Sequence, residues 1–362
     1  MNNPSLPGVS VIVCCYNSVQ RLPQTLRHLA NQSVPENFSW EIIIVDNSST
    51  DNTAKASAII WRKLNCDVDF RIVKEVTPGL IYARKRGVQS SRYEVLIFCD
   101  DDNWLSQDYI SKAYERLKSL SNVAVLGGSS VAVFETQKPE WFDHFEKSYA
   151  VGKILDKPGY VNERKYIAGA GMVIRKSHFM LLNSILLNPV LTGRKGRELL
   201  SGEDAEMCLI FLFLGFDLYY DPSLTFKHYI PENRVRWDYC NDMISKAQAI
   251  PQIYFQFYQS CYSDIQNDLS LSFDEVYRLI FKRLVRRFVK AARKNGHPVK
   301  NLRYLFKTPA GSAVALQLKS EFNKVIFLLK NKRMLRENFK DIYEVMVRIR
   351  RYKENELFEI LN

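Results

Sequence analysis

The stretch LIFCDDDNW, residues 96–104, passes from an apolar run directly into three consecutive carboxylates, Asp100, Asp101 and Asp102. Like charges at that spacing repel one another strongly unless a cation lies between them. The apolar run before them has the length and composition of a buried strand. The stretch therefore predicts a buried strand whose carboxyl end carries charges in need of a cationic partner.

Apolar, strand-like segments alternate with helical ones on both sides of this stretch. The predicted strands are VSVIVCCYN (9–17), WEIIIVD (40–46), FRIVKE (70–75) and EVLIFCD (94–100). The predicted helices are LPQTLRHLANQ (22–32), GLIYARKRGVQ (79–89) and SQDYISKAYERLKSL (106–120). This alternation predicts an α/β fold with a mostly parallel, Rossmann-like sheet and helices on both faces. Ligands of such sheets bind beyond the carboxyl ends of the strands, so we expect Asp46 and the three aspartates in one crevice.

The net charge of +12 is concentrated near the C-terminus, because residues 271–362 hold 22 Lys and Arg against 9 Asp and Glu. At about residue 240 the alternation gives way to consecutive helical segments. We therefore expect an α/β domain over residues 1–240 and a basic helical domain over residues 241–362.

Several classes of protein are excluded. The longest apolar run, CLIFLFLGF (208–216), is shorter than the ~18 residues of a membrane-spanning helix. The N-terminal segment lacks the basic start and apolar centre of a signal peptide, so a cytoplasmic protein is expected. Seven scattered cysteines without a CxxC pair predict reduced thiols and no zinc framework.

Two common phosphate-binding motifs are missing from the sequence. GxGxxG does not follow the first strand, and GxxxxGK[ST] does not occur. Carboxylates are hard ligands that favour Mg²⁺ or Mn²⁺, and such an ion bridges to phosphate oxygens. The three aspartates therefore predict a divalent cation site. The alternative is a solvated turn, or an N-cap for the helix that begins near Ser106.

Six motifs in a fixed order resemble one known family. They are VIVCCYN (11–17), IIIVDNSSTDNT (42–53), PGLIYARKRG (78–87), FCDDDNWL (98–105), GAGMVIRK (169–176) and SGEDAEMCLIFLFLGF (201–216). Over residues 9–237 the chain resembles the inverting glycosyltransferases of family 2, which have the GT-A fold, and in particular those of bacterial surface-glycan synthesis. The resemblance implies transfer of a sugar from a nucleoside-diphosphate sugar, with a UDP-sugar as the expected donor, to a glycan or lipid-linked acceptor.

The resemblance also implies roles for individual residues. The donor would contact Cys15, Tyr16, Asn17, Asp46, Arg84, Asp100, Asp101 and Gly171. A Mn²⁺ or Mg²⁺ ion would bind Asp102 and Asp100, with His228 as a further ligand, and would neutralise the departing diphosphate. Asp204 would be the catalytic base, with Glu203 as the second choice. The alternatives are that these two carboxylates only stabilise a helix N-terminus and that His228 is structural.

The C-terminal segment EVYRLIFKRLVRRFVKAARK (275–294) predicts a basic amphipathic helix. Its apolar residues repeat at i+4, and most of its cations fall on the opposite side. Such a helix is a candidate for lying on an anionic membrane surface, peripherally at the inner face of the cell membrane. A helical bundle with a solvated cationic face is an equal alternative. Nucleic acid is not expected, because no binding motif accompanies the charge.

Two other functions remain open at this point. A nucleotidyltransferase of related fold would also use paired aspartates and a metal, although the glycine-rich loop expected after its first strand is missing from CCYNSVQR (14–21). A non-catalytic adaptor for membranes or nucleic acid would need only the basic tail, and its acidic clusters would be dispensable.

Overall fold

The computed structural model describes residues 6–193, 201–294 and 301–361. Within these ranges one sheet contains nine strands. The strands are β1 (Leu6–Cys15), β2 (Trp40–Asn47), β3 (Asp69–Glu75), β4 (Tyr93–Asp100), β5 (Asn103–Leu105), β6 (Val123–Phe134), β7 (Gly159–Tyr160), β8 (Met172–Arg175) and β9 (Asp217–Ile230). Their order in the sheet is β3-β2-β1-β4-β8-β6-β9-β5, with β7 paired to β9.

The predicted parallel sheet is confirmed for the half that contains β3, β2, β1 and β4. In the other half, β8 is antiparallel to both of its neighbours, whereas β6 and β9 are parallel. β5 and β7 run antiparallel to β9. The sheet is therefore mixed, and its longer ladders are the parallel ones. A parallel neighbour needs a crossover, usually a helix, and the segment between β6 and β8 contains only β7 and short 3₁₀ turns.

Helices cover both faces of the sheet and form the C-terminal part of the described chain. They are α1 (Leu22–Ala30), α2 (Thr53–Leu64), α3 (Leu80–Ser90), α4 (Tyr109–Lys118), α5 (Lys176–Ile185), α6 (Glu203–Leu214), α7 (Trp237–Asp242), α8 (Pro251–Asn267), α9 (Phe273–Ala292), α10 (Ala313–Lys330) and α11 (Lys332–Leu361). Short 3₁₀ turns lie at Phe142–His144, Glu146–Tyr149, Asn162–Arg164, Glu232–Arg234 and Arg303–Leu305, and a π-helical turn lies at Met243–Ala247. The α/β class with an added helical region is as predicted.

The central strands are apolar on both faces because both faces are buried. Val11 and Val13 of β1 pack on one side with Leu26 of α1. Ile12 points to the other side and packs with Ala83 of α3. This alternation with a period of two gives each face its own core cluster and explains the continuous apolar runs in the sequence.

The strand register brings distant carboxylates to one edge of the sheet. Asp46 of β2 and Asp100 of β4 pair with adjacent positions at the carboxyl end of β1. The antiparallel pairing of β5 with β9 places Asn103 opposite His228. The turn after β4 therefore lies beside the end of β9.

The C-terminal helices share a core with the sheet. Ile253 of α8, Leu284 of α9 and Ile349 of α11 belong to the same buried cluster as Ile12 of β1. The boundary predicted at residue 240 stays a prediction, but the segments on either side of it are joined by apolar packing.

The apolar side of α9 faces this core, as the bundle alternative expects. Val276 and Ile280 are each 1% exposed and Leu284 is fully buried, so this side is not available to a membrane. The exposed side of α9 is cationic and includes Arg278, Lys282, Arg286 and Lys290. None of the helices described is long and apolar enough to cross a bilayer.

Candidate active site

A cavity of about 750 Å³ lies beyond the carboxyl ends of β1 and β4. Its walls come from these strand ends, from the start of α6, from the loop before β8 and from residues 239–255. The predicted site residues on its wall are Cys15, Tyr16, Asn17, Arg84, Asp100, Asp101, Asp102, Glu203, Asp204 and His228. The fold thus brings together side chains that are far apart in the sequence.

Two predicted residues, Asp46 and Gly171, do not line the cavity. Asp46 lies at the end of β2, and its neighbour Asn47 reaches the wall instead. The carbonyl of Gly171 accepts a hydrogen bond from the Tyr109 hydroxyl at 2.5 Å, while Gly169 faces the cavity. The predicted donor contacts of Asp46 and Gly171 stay predictions.

The middle aspartate, Asp101, holds Arg21 of the α1 entry turn. Arg21 donates from Nη2 to Oδ2 at 2.6 Å and from Nε to Oδ1 at 3.1 Å, a bidentate pair. The Ser18 hydroxyl donates to the same carboxylate. Because Arg21 itself lines the cavity, Asp101 fixes a cation at the wall.

Asp102 lies between two other basic side chains. Arg234 Nη1 is 2.8 Å from its Oδ2, and His228 Nε2 is 3.6 Å from its Oδ1. The Asn103 amide also donates to Oδ1 at 3.2 Å. Burial alone would raise the pKa of Asp102, but the charges of His228 and Arg234 hold it well below its ordinary value. Asp102 is therefore an ionised, buried carboxylate.

Asp100 lacks an ion pair of its own among the side chains described. Burial and the charge of Asp102 raise its pKa, while the Arg84 guanidinium opposes that rise. Arg84 is 2% exposed, lies over the Phe98 ring at 5.1 Å and approaches Glu203 Oε1 at 3.6 Å. Arginines and a histidine therefore surround the three aspartates and offset the repulsion between their charges.

Two carboxylates enter the cavity from the start of α6. Gly202 precedes the helix with φ +106°, a backbone region that favours glycine. Asp204 accepts the Gly169 N–H at Oδ2 at 2.9 Å, and its Oδ1 accepts the N–H of the next residue at 2.8 Å. Glu203 turns towards Arg84, and burial together with the neighbouring Asp204 raises its pKa to about 7. Both predicted candidates for the base therefore reach the site, in different settings.

The cavity also contains residues that sequence reasoning missed. Arg21 and Arg234 face the aspartates, and the wall beyond Asp204 adds Lys147, Tyr149, Tyr166, Tyr239, Gln248, Gln252 and Phe255. The two arginines follow β1 and β9 closely in the sequence, and this position is the feature that could have identified them. No sequence pattern indicated the other wall, since it forms only when the 3₁₀ turns and α8 fold against the sheet.

In the part of the chain that the structure describes, no three His, Cys, Asp or Glu side chains are grouped to hold a metal ion by themselves. Asp102 and His228 nevertheless form a close pair on the cavity wall. Mg²⁺ is usually bound by one or two carboxylates together with substrate phosphates and water. The pair therefore fits a cation that completes its ligands with a bound diphosphate.

Residues 10–180 match the family model described as Glycosyl transferase family 2. Over these residues the chain is similar to that family. The matched range includes Arg21, Arg84 and the three aspartates, whereas α6 and β9 lie beyond it.

Curated proteins that are similar to this chain differ in how much of it they match. The glucosyl-dolichyl phosphate glucuronosyltransferase of Haloferax volcanii is 22% identical over 237 residues, which are 64% of this chain and 72% of the relative. The poly-beta-1,6-N-acetyl-D-glucosamine synthase of Staphylococcus epidermidis is 26% identical over 246 residues, 64% of this chain and 53% of the relative. The chain spans only 29% and 28% of the length of two Bacillus subtilis relatives that are 32% identical to it.

A solved structure of similar extent is the crystal structure of S. aureus TarS 1–349. It is 16% identical to this chain, with a TM-score of 0.47 over 90% of this chain and 91% of that chain.

Proposed function

We propose that this protein is an inverting glycosyltransferase that transfers a sugar from a nucleoside-diphosphate sugar to a glycan or lipid-linked acceptor. The observation that carries the proposal is one cavity lined both by the Asp204 carboxylate and by the guanidinium groups of Arg21 and Arg234. A carboxylate accepts the proton of an acceptor hydroxyl, and guanidinium groups bind diphosphates. The family match supports this class of reaction.

In the proposed reaction, Asp204 takes the proton of the acceptor hydroxyl while the acceptor oxygen bonds to the anomeric carbon of the donor sugar. The bond from that carbon to the diphosphate oxygen breaks, and its electron pair leaves with the nucleoside diphosphate. Arg21, Arg84 and Arg234 supply positive charge in the cavity where the leaving group gains negative charge. Attack opposite the leaving group inverts the anomeric configuration.

The proposed donor site includes a Mn²⁺ or Mg²⁺ ion. Asp102 and His228 would hold it, with Asp100 nearby, since these side chains share the cavity wall. Bound there, the ion would supply Lewis acidity towards the diphosphate.

We propose a UDP-sugar as the donor, with its nucleotide at the end of β1. Tyr16 is 39% exposed beside the cavity, and the Asn17 side chain accepts the Thr50 N–H at 2.8 Å, which joins the loops after β1 and β2. A thermal-shift screen of UDP, GDP and dTDP, with and without Mn²⁺, tests this. Stabilisation by UDP with Mn²⁺ is expected, and stabilisation by none of the three would contradict a nucleotide donor.

The choice of base is tested by paired substitutions. Asp204→Asn keeps the shape of the side chain but cannot take a proton, so donor binding should persist while transfer falls by roughly 10²-fold or more. Glu203→Gln should transfer at a rate much closer to that of the wild type. The rate at which nucleoside diphosphate is released measures transfer by both variants. The donor is a sugar derivative of the nucleotide that the thermal-shift screen selects. Normal transfer by Asp204→Asn together with loss in Glu203→Gln would make Glu203 the base.

The acceptor is proposed to be a growing surface glycan or its lipid-linked precursor. The names of two relatives support this choice. One is named for glucosyl-dolichyl phosphate, and the other is named as a synthase of poly-beta-1,6-N-acetyl-D-glucosamine. A lipid-linked acceptor would lie at a membrane, and the exposed cations of α9 suit an anionic surface. Peripheral attachment through this cationic side is therefore part of the proposal.

A further inference from the structure

Arg234 reaches back from the turn after β9 to a carboxylate that the proposed metal site also needs. Its Nη1 lies 2.8 Å from Asp102 Oδ2, and the two side chains are 18% and 4% exposed. Both line the cavity. A charge pair this sheltered from water is screened much less than one on the surface.

Both oxygens of Asp102 already have donors. Oδ2 faces Arg234, while Oδ1 faces the His228 ring at 3.6 Å and accepts from the Asn103 amide at 3.2 Å. A divalent cation that binds Asp102 must therefore displace at least one of these groups or bind beside a guanidinium cation, which repels it.

The backbone of Arg234 is held by contacts separate from the one that its guanidinium makes with Asp102. The Tyr149 hydroxyl donates to its carbonyl at 2.9 Å, and its own N–H donates to the Pro231 carbonyl at 2.9 Å. Among the residues described, Asp102 is the carboxylate paired with its guanidinium. A rotation of the side chain is thus sufficient to release Asp102.

We infer that Arg234 competes with the divalent cation for Asp102 and transfers to the diphosphate when the donor binds. The inference rests on the proposed donor and metal site. A diphosphate offers the guanidinium two oxygens for a bidentate contact in place of the single Asp102 oxygen that it leaves. It also supplies the negative charge that lets Arg234 and the metal ion lie close together.

This exchange makes the binding of metal and nucleotide cooperative. Without a diphosphate, Arg234 holds Asp102 and the cation binds weakly. With a diphosphate, Asp102 is free for the cation. Because coupling between two ligands is reciprocal, the cation must also raise the affinity for the nucleotide by the same factor.

The test is a titration of the full chain with Mn²⁺ alone, read by electron paramagnetic resonance of free Mn²⁺, and a second titration in the presence of UDP. Arg234→Met and Arg234→Gln remove the competing charge, so they should bind Mn²⁺ alone at least tenfold more tightly than the wild type. In both variants UDP should strengthen Mn²⁺ binding much less than in the wild type. Arg234→Lys keeps a competing cation, so its affinity for Mn²⁺ alone should stay closer to that of the wild type than the affinity of the neutral variants.

Arg236→Met is the matched control, because Arg236 is two residues away, 70% exposed and paired with Glu232. It should leave both titrations unchanged. If either neutral variant unfolds at the wild-type temperature and binds Mn²⁺ alone no more tightly than the wild type, the inference is wrong. In that case UDP-dependent Mn²⁺ binding by the wild type would still support the proposed function. If the wild type binds no Mn²⁺ with or without UDP, the proposed metal site and the inference both fail.

Discussion

At the scale of single residues, the three adjacent aspartates have three different functions. Asp101 anchors Arg21, Asp102 contacts Arg234 and His228, and Asp100 is half-buried with a raised pKa. The difference arises because β4 ends at Asp100 and the chain turns immediately afterwards. Side chains that are neighbours in sequence therefore point to different partners.

Glu206, on the first turn of α6, permits a pH test. It is 1% exposed and accepts the Tyr258 hydroxyl at 2.6 Å, and burial raises its pKa from 4.5 to about 8. The folded chain keeps this proton up to about pH 8, whereas the unfolded chain releases it above about pH 4.5. The resulting stabilisation is therefore complete at low pH and is lost as the pH rises through this window.

Glu206→Gln should remove that dependence, because a glutamine does not titrate. Urea unfolding between pH 5 and pH 8.5 should show a free energy of unfolding that falls less steeply in the variant than in the wild type. The exposed Glu115→Gln is the control and should follow the wild type. Parallel curves for Glu206→Gln and the wild type would show that Glu206 is not protonated in the folded chain.

At the scale of elements, α9 shows how one amphipathic pattern suits two environments. Its i+4 apolar repeat is equally good for a membrane surface and for a protein core. The structure buries that repeat against α8 and the other C-terminal helices. What remains exposed is the cationic side, together with single apolar residues such as Leu279.

Leu284→Ala tests this packing of α9. Leu284 is fully buried in the shared core, so its truncation should lower the free energy of unfolding by about 2–5 kcal/mol. Leu279→Ala on the same helix is the control, because Leu279 is 53% exposed and should change stability by about 0.5 kcal/mol or less. Chemical denaturation measures both. Equal, small effects would mean that the apolar side of α9 is not part of the core.

At the scale of the whole molecule, charge is divided between two regions that share one core. Residues 271–362 carry 22 basic and 9 acidic side chains, yet their helices pack against the same cluster as the sheet. A partner that binds the exposed cations of α9 would therefore be attached to a helix that packs on the same core as the sheet. This arrangement agrees with the proposed attachment to an anionic surface.

The proposed membrane attachment should depend on salt and on charge. Full-length protein should sediment with vesicles of mixed anionic and neutral phospholipid at low salt and be released at high salt, since screening acts over ~8 Å at physiological salt. Reversal of Arg278, Lys282, Arg286 and Lys290 to Glu should abolish sedimentation without changing UDP binding. The same reversal at the exposed Lys55, Arg62, Lys63 and Lys118 is the control and should have a smaller effect. Equal binding to purely neutral vesicles would contradict an electrostatic attachment.

The sequence by itself determined the local elements and the edge of the sheet at which the site lies. Strands such as β2 and β4 are apolar on both faces, and this pattern depends only on neighbouring residues. The placement of Asp100 at a strand end follows from the same pattern. The motif order was enough to indicate the family and to select Asp204 and Glu203.

Only the tertiary structure decided which partner each charge has and where the second half of the sheet runs. Arg21 and Arg234 meet adjacent aspartates because α1 and the turn after β9 fold against the end of β4, contacts that no local pattern encodes. The antiparallel position of β8 and the burial of α9 likewise depend on long-range packing. An apolar pattern in the sequence shows that one face of an element is buried. It does not show which other element covers that face, because apolar packing is non-directional.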